Sequence, residues 1–324
     1  MSTIQEVAKL AGVATGTVSR YLNGMNMREA NRAKIEAAIK TLGYRPNYAA
    51  KSLRNNQTML VGMLMNNMYN LLAAGLVARM ENEMEKYGYV TAISGFRYDP
   101  KLFESRLDAL LAHRVDALVV FEADSSWPGT ATLRNLDIPV IAVGSPLDFP
   151  NVDSVLIDDR ASSREAVSQL IAQADARFGI IGAHQESYAS RERLAGALEA
   201  IDAAGLPRNQ VPVYLGDYSR QDGCELARRL ICEDGAHSIF CTNYGMSLGV
   251  LDTLVELGLE PGHDIAFTCY SYLDPGTVSR PSIKTICPPL DEVGRAVSNL
   301  VIERLQKTAP GEVQRILLQN VFNG

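Results

Sequence analysis

The stretch TIQEVAKLAGVATGTVSRYLNG, Thr3 to Gly24, decides how the rest of the chain is read. Thr3 followed three residues on by Glu6 has the spacing of a capping box, in which each side chain satisfies an orphan backbone N–H at a helix start. Val7, Leu10 and Ala11 then fall on one face at helical spacing. Gly12 supplies a turn, and a second helix begins near Ala14 or Thr15, carrying Val18, Tyr21 and Leu22 inward. A third helix, from about Arg28 to Leu42, ends at Gly43 with Lys40 in its last turn, where a cation complements the helix dipole. Three short helices with a glycine turn between the first two make the helix-turn-helix plan, whose second helix enters the major groove of DNA.

Charge supports that reading. Residues 1–57 hold nine Lys or Arg against three Glu, a net of +6, whereas the remaining chain holds 22 basic against 34 acidic residues, a net of −12. A basic head on an acidic body suits a phosphate-binding module joined to a domain that does not touch nucleic acid. A solvated helical bundle with a chance basic excess is the plainer alternative.

At 324 residues, roughly two or three domains are expected. No apolar run approaches the ~20 residues needed to span a membrane. Met1 leads directly into a capped amphipathic helix, so no signal peptide is expected. The five cysteines are odd in number, widely spaced and without a CxxC pair, which suits reduced, buried thiols in a cytoplasmic protein. The four histidines are isolated and expected at the surface or in loops, and no metal-ligand spacing exists. A GxGxxG after a strand, a P-loop and a GxSxG are all missing, so neither an enzyme nor a cofactor is expected.

From Thr58 the rhythm changes to short apolar strands alternating with amphipathic helices. MLVGMLM (Met59–Met65), YVTAISG (Tyr89–Gly95), ALVVFE (Ala117–Glu122) and PVIAVG (Pro139–Gly144) form a first set. A second begins near Ser154 with SVLID and continues through FGIIGA (Phe178–Ala183), VPVYLG (Val211–Gly216), SIFCT (Ser238–Thr242) and DIAFTCY (Asp264–Tyr270). SIKTIC (Ser282–Cys287), a helix with Leu290, Val293, Val297, Leu300, Val301 and Leu305, and a last strand at Ile316–Asn320 close the chain. The alternation implies an α/β fold with two doubly wound parallel sheets covered on both faces, with ligands bound beyond the carboxyl ends of the strands.

VAKLAGVATGTVSRYLNG, followed by LGYRPNYAAKSLR, resembles the headpiece and hinge of the lactose/galactose-repressor family of bacterial transcription regulators. AGV, TVSR, the Asn after the second helix, and Y-x-P-N carry the likeness, which extends more weakly over the whole chain. The resemblance implies a headpiece at 1–45, a hinge helix at 46–57, and a two-lobed core at 58–324 resembling periplasmic binding proteins. Lobe 1 would take about 58–158 and 288–314, and lobe 2 about 159–287 and 315–324. It places Thr15 and Gly16 where bases are read, with Arg20 one turn on, Thr17, Ser19 and Asn23 at the backbone, and Asn47 among the DNA-binding residues of the hinge segment. Arg suits guanine because its fork matches O6 and N7. Ala14 stands where the family usually has a capping Ser. In the hinge, Ala49 and Ala50 would permit close approach, and Leu53 would wedge into the minor groove at a cost of a few kcal/mol of unstacking. A plain flexible linker is the alternative for 46–57.

The resemblance also proposes an effector site from Asn66, Tyr69, Arg193, Tyr218, Asn243 and Ser271. The family's Asp residues are replaced by Gly144, Tyr244 and Ser271, so Arg193 is expected to lack competing negative neighbours. That favours a sugar acid or sugar phosphate as effector. The alternatives are a neutral sugar, held with help from Asn67 and Asp274, or a nucleobase. The whole reading is a cytoplasmic, nucleoid-bound homodimeric repressor on a near-palindromic operator, with no membrane partner. No leucine heptads follow the core, so a dimer rather than a tetramer is expected. A carbohydrate-binding protein or an enzyme is the alternative from another class.

Overall fold

A computed structural model describes residues 2–22, 25–44, 57–66, 71–173, 177–271 and 283–323. The chain divides into two compact units, Met1–Thr58 and Met59–Gly324.

In the first unit, α1 (Ile4–Ala11), α2 (Thr15–Leu22) and α3 (Glu29–Leu42) enclose a small core of Val7, Ala8, Ala11, Val18, Ile35 and Ala38. The capping box forms as its spacing requires: the Glu6 N–H donates to Thr3 Oγ1 at 3.3 Å, and the Thr3 N–H donates to Glu6 Oε2 at 2.7 Å. Gly12 and Gly43 end α1 and α3 at φ +65° and +54°, left-handed values that suit glycine. One expectation fails. Leu10 is 53% exposed, and Ala8 is buried in its stead. At roughly 100° per residue, Leu10 lies more than a quarter turn from the face centred on Val7, Ala8 and Ala11.

The second unit holds two six-stranded sheets. The first contains β1 (Leu60–Met65), β2 (Val90–Gly95), β3 (Ala117–Phe121), β4 (Val140–Val143), β5 (Val152–Ile157) and β11 (Arg315–Leu318), in the order β11-β5-β4-β3-β1-β2, all parallel. The second contains β6 (Phe178–Ala183), β7 (Val213–Gly216), β8 (Ser238–Cys241), β9 (Ala266–Tyr270), β10 (Ile283–Cys287) and β12 (Val321–Asn323), in the order β12-β10-β9-β8-β6-β7. Only β12 in this sheet runs antiparallel to its neighbour. The central strands β3, β4, β6 and β8 are buried along their whole length, which explains why they read as continuous apolar runs.

Helices cover both faces of each sheet. On the first, α4 (Leu71–Glu85) and α10 (Leu290–Leu305) bury Leu76, Met80, Val297 and Leu300 on one side, while α5 (Pro100–Ala112) buries Phe103 and Leu107 on the other. On the second, α6 (Asp159–Gln173) and α7 (Tyr188–Ala203) take one face, and α8 (Arg220–Cys232) and α9 (Tyr244–Glu256) take the other.

Two expectations are corrected, one from the strand pattern and one implied by the resemblance. SVLID does not open the second set; it lies in β5 and pairs with β4 and β11. Residues 315–318 likewise belong to the first sheet, and the chain crosses only after them, to form β12. Asp153 explains the return. Its buried carboxylate takes two bonds from Arg304, each 2.7 Å, and one from the Gln314 N–H at 2.7 Å, which sets the incoming strand beside β5. Three-residue β12 is too short for its alternation to be read in sequence.

Gly196 sits where α7 crosses α6; a Cβ there would lie 2.0 Å from the Arg160 carbonyl oxygen. Ala normally gains about 1 kcal/mol over Gly inside a helix. Gly196→Ala should instead lower the melting temperature of the full chain, because two backbones must separate. An unchanged or raised melting temperature would contradict this packing.

Candidate DNA-reading face and effector cleft

Val18 faces the headpiece core, so the opposite side of α2 is presented outward. Thr15, Gly16 and Arg20 are exposed there, while Thr17 and Ser19 are half-buried. The Arg20 guanidinium reaches back one turn toward Thr17 Oγ1 at 3.5 Å, and Tyr21 ties α2 to α3 by donating to Glu36 Oε1 at 3.0 Å. A Cβ at Gly16 would meet nothing within 4 Å, so its lack of side chain is not a packing requirement. Ala14 precedes α2 and has no side chain with which to cap it. The five α2 residues singled out from sequence therefore share one outward surface. Asn23, Asn47, Ala49, Ala50 and Leu53 lie outside the described residues, as do Asn67, Tyr69 and Asp274.

In the core, the carboxyl ends of both sheets converge. Arg193, on α7, is 6% exposed. Its Nε is 3.2 Å from Asp159 Oδ1, its Nη1 donates to the Thr242 carbonyl at 3.0 Å, and its guanidinium lies 3.8 Å above the centre of the Tyr270 ring. Asp159 opens α6, where the helix dipole favours a carboxylate, and also accepts from Asn320 at 3.2 Å. Across the cleft, Glu122 follows β3 and is half-buried. Its Oε2 accepts from Asn66 Nδ2 at 3.4 Å and from the Tyr98 hydroxyl at 3.3 Å. Burial raises the Glu122 carboxyl above the usual range, against the attraction of Arg193 and the bonds from Asn66 and Tyr98.

The expectation that Arg193 has no negative neighbours is therefore wrong. The carboxylates expected after β4 and β9 are indeed missing, but Asp159 and Glu122 supply two others. Glu122 was legible as an acid at the end of a buried parallel strand, the usual ligand end of such a sheet. Asp159 reads like any acidic first-turn residue.

The remaining positions play mixed parts. Asn66 is fully buried, and its Oδ1 accepts from the Tyr98 N–H at 2.7 Å. Tyr218 stacks on Tyr98 with centroids 6.2 Å apart and planes 12° apart, and its hydroxyl donates to the His184 carbonyl at 2.8 Å. Asn243 caps α9 by accepting from the Met246 N–H at 3.3 Å, a structural task beside the Arg193–Thr242 contact. Ser271 is buried just after Tyr270, with its N–H on the Ile286 carbonyl at 2.9 Å. Arg97, Tyr98, Glu122 and Tyr218 all take left-handed φ values, between +51° and +73°. Strain on the order of 1 kcal/mol per residue is thus gathered where the strands meet the cleft.

The cavity between Phe121, Glu122, Gly144, Asp159 and Arg193 measures about 20 Å³, room for about one water. Arg191 Nη2 bridges the mouth to Asp124 Oδ2 at 3.0 Å. Burial alone would raise the Asp124 carboxyl, but the bonds from Ser126 and the Arg191 guanidinium hold it below its usual value. Among the described residues no cluster suits a metal ion, no helix is long and apolar enough to cross a membrane, and Cys232 is exposed, unlike the buried Cys241 and Cys269.

The raised Glu122 carboxyl carries a pH signature. Between the unfolded and folded titrations the native state holds more protons than the unfolded chain, so stability falls as pH rises through that window. Denaturant unfolding at stepped pH should show Glu122→Gln gaining on the wild type as pH increases from the ordinary carboxylate range. Parallel curves would contradict it.

A profile described as the periplasmic binding proteins and sugar binding domain of the LacI family matches residues 61–323, and one for bacterial regulatory proteins of the lacI family matches residues 3–47. The chain is 30% identical over 311 residues to the ribose operon repressor of Escherichia coli (strain K12), covering 94% of this chain and 93% of the relative. It is 27% identical over 309 residues to the HTH-type transcriptional repressor PurR of Aliivibrio salmonicida, covering 94% and 93%. Among solved structures it is similar to the transcriptional regulator CelR–cellobiose complex, at 27% identity and TM-score 0.72, covering 100% and 99%. The lac repressor dimer bound to operator and the anti-inducer ONPF shares the fold at 23% identity and TM-score 0.86, covering 100% and 98%. The chain belongs to the lacI family of bacterial regulatory proteins, and it is a DNA-binding transcriptional regulator rather than an enzyme.

Proposed function

We propose that this regulator is a repressor that binds a near-palindromic operator as a homodimer, with Thr15, Gly16 and Arg20 at base edges and Thr17 and Ser19 on the backbone. The observation that supports it best is the outward face of α2 on a headpiece of net charge +6. Affinity then comes largely from phosphate contacts and falls with salt. The protein acts in the cytoplasm, on the nucleoid.

Control comes from a small hydroxyl-bearing effector taken up between the lobes, lined by Asn66, Arg193, Tyr218, Asn243 and Ser271. A sugar acid or sugar phosphate was expected on the ground that Arg193 stood unopposed. With Asp159 at 3.2 Å and Glu122 across the cavity, an anion gains little there. The proposed effector is therefore not an anion. The relatives named for ribose and the structure holding cellobiose support a carbohydrate. Uptake between the lobes changes their separation, and that movement is the signal that reaches the headpiece.

Selection of binding sites from random duplex DNA by the full chain tests the DNA half. An inverted-repeat consensus is expected. Arg20→Ala should lose about 1–3 kcal/mol of discrimination at one base pair per half-site, with nonspecific affinity little changed. Failure to enrich any repeat, or an equal loss on all sequences, would overturn the reading.

A further inference from the structure

Outside the DNA-reading face, the most unusual chemistry in the chain is the charge count of the cleft cavity. Its lining holds two carboxyls, Glu122 and Asp159, against one guanidinium, Arg193; the other lining residues include Leu76, Gly144 and Val293. Arg193 is already engaged by Asp159, by the Thr242 carbonyl and by the face of Tyr270. Glu122 is held more loosely. Both of its described bonds fall on Oε2, both come from neutral donors, and both are long, at 3.3 and 3.4 Å.

The backbone makes room for this carboxyl. Gly144, at the end of the neighbouring strand, has φ +74°, and a Cβ there would lie 3.2 Å from Glu122 Cγ. The side chain thus lies close to the space that a residue at 144 would claim. Glu122 itself takes a left-handed φ of +55°, an arrangement maintained against its own preference.

We propose that Glu122 determines effector specificity, selecting a ligand that presents a positively charged nitrogen, such as an amine-bearing sugar or polyol. This rests on the reading of the cleft as the effector site and narrows the chemistry of its ligand. A buried carboxylate without a full counter-charge is costly, and the group answers by keeping its proton or by taking a cation. Desolvation pushes the Glu122 carboxyl up, the direction in which it resists carrying an uncompensated charge. An ammonium group entering the cleft provides the cation, as a charge-assisted hydrogen bond. A hydroxyl supplies only a dipole, and a carboxylate or phosphate adds negative charge to a cavity already lined by two carboxyls.

The test is a thermal-shift series on the full chain with matched probes. D-glucosamine, D-galactosamine and N-methylglucamine are compared with glucose, galactose and sorbitol, and with gluconate and glucose 6-phosphate. The amine-bearing members should give the largest stabilisation. Glu122→Gln should weaken their binding at least tenfold and leave the neutral probes unchanged or improved. Should that variant fail to fold, Tyr98→Phe removes one donor from Glu122 and should strengthen amine binding severalfold. A neutral or anionic winner in the wild type overturns the role of Glu122 while leaving the effector cleft standing. Amine binding that Glu122→Gln does not change overturns it too. Silence across all three groups counts against both the role and the cleft.

Discussion

The core depends on one buried ion pair, Arg193 with Asp159. Two ions removed from water cost several kcal/mol each unless their geometry and remaining bonds are good. Here the remaining contacts are supplied by three other parts of the chain. Thr242 comes from the end of β8, Tyr270 from β9, and Asn320 from the last crossing. Removing either ion would leave its partner buried and alone, so the pair fixes how the second lobe's strand ends meet the crossing segment. It also sets the field of the cleft, because Glu122 faces the same cavity from the first lobe.

That field and the contacts across the mouth give the regulator its working parts. The mouth is held by Arg191–Asp124 and by the Tyr98–Tyr218 stack. An ion pair with side chains 42% and 20% exposed is worth at most about 1 kcal/mol, so closure is not strongly locked. An effector of ordinary affinity suffices to shift such an equilibrium, provided it binds one form better than the other. Strained backbone at Tyr98, Glu122 and Tyr218 places that balance at the residues an effector would touch.

Much of this was legible in the sequence. The capping box, the glycine turns and the apolar strands are local patterns, and local patterns survive folding. That Val18 turns inward on α2 followed from helical spacing. What was not legible depends on contacts distant in sequence. The β11 assignment turned on Asp153 and Arg304, 151 residues apart, and the charge state of the cleft turned on Glu122 meeting Arg193 from another lobe. Scoring missing acids at family positions suggested an unopposed arginine. Glu122 and Asp159 supply the negative charge from other positions around the cavity. Leu10 shows the same limit on a small scale, since a helix's spacing gives a face but its packing partners choose the centre of that face.

The central claim is that the opening of the lobes and DNA binding are coupled. Asp124→Arg tests it without knowledge of the effector, because two arginines would then oppose each other at the mouth while the side chain remains near the surface. The measurement is the affinity of the full chain for its selected operator and for random DNA, wild type against Asp124→Arg, with small-angle scattering to follow opening. The account predicts an opened core and an operator affinity changed at least severalfold, with random-DNA affinity unaltered. An opened core with unchanged operator affinity would contradict it.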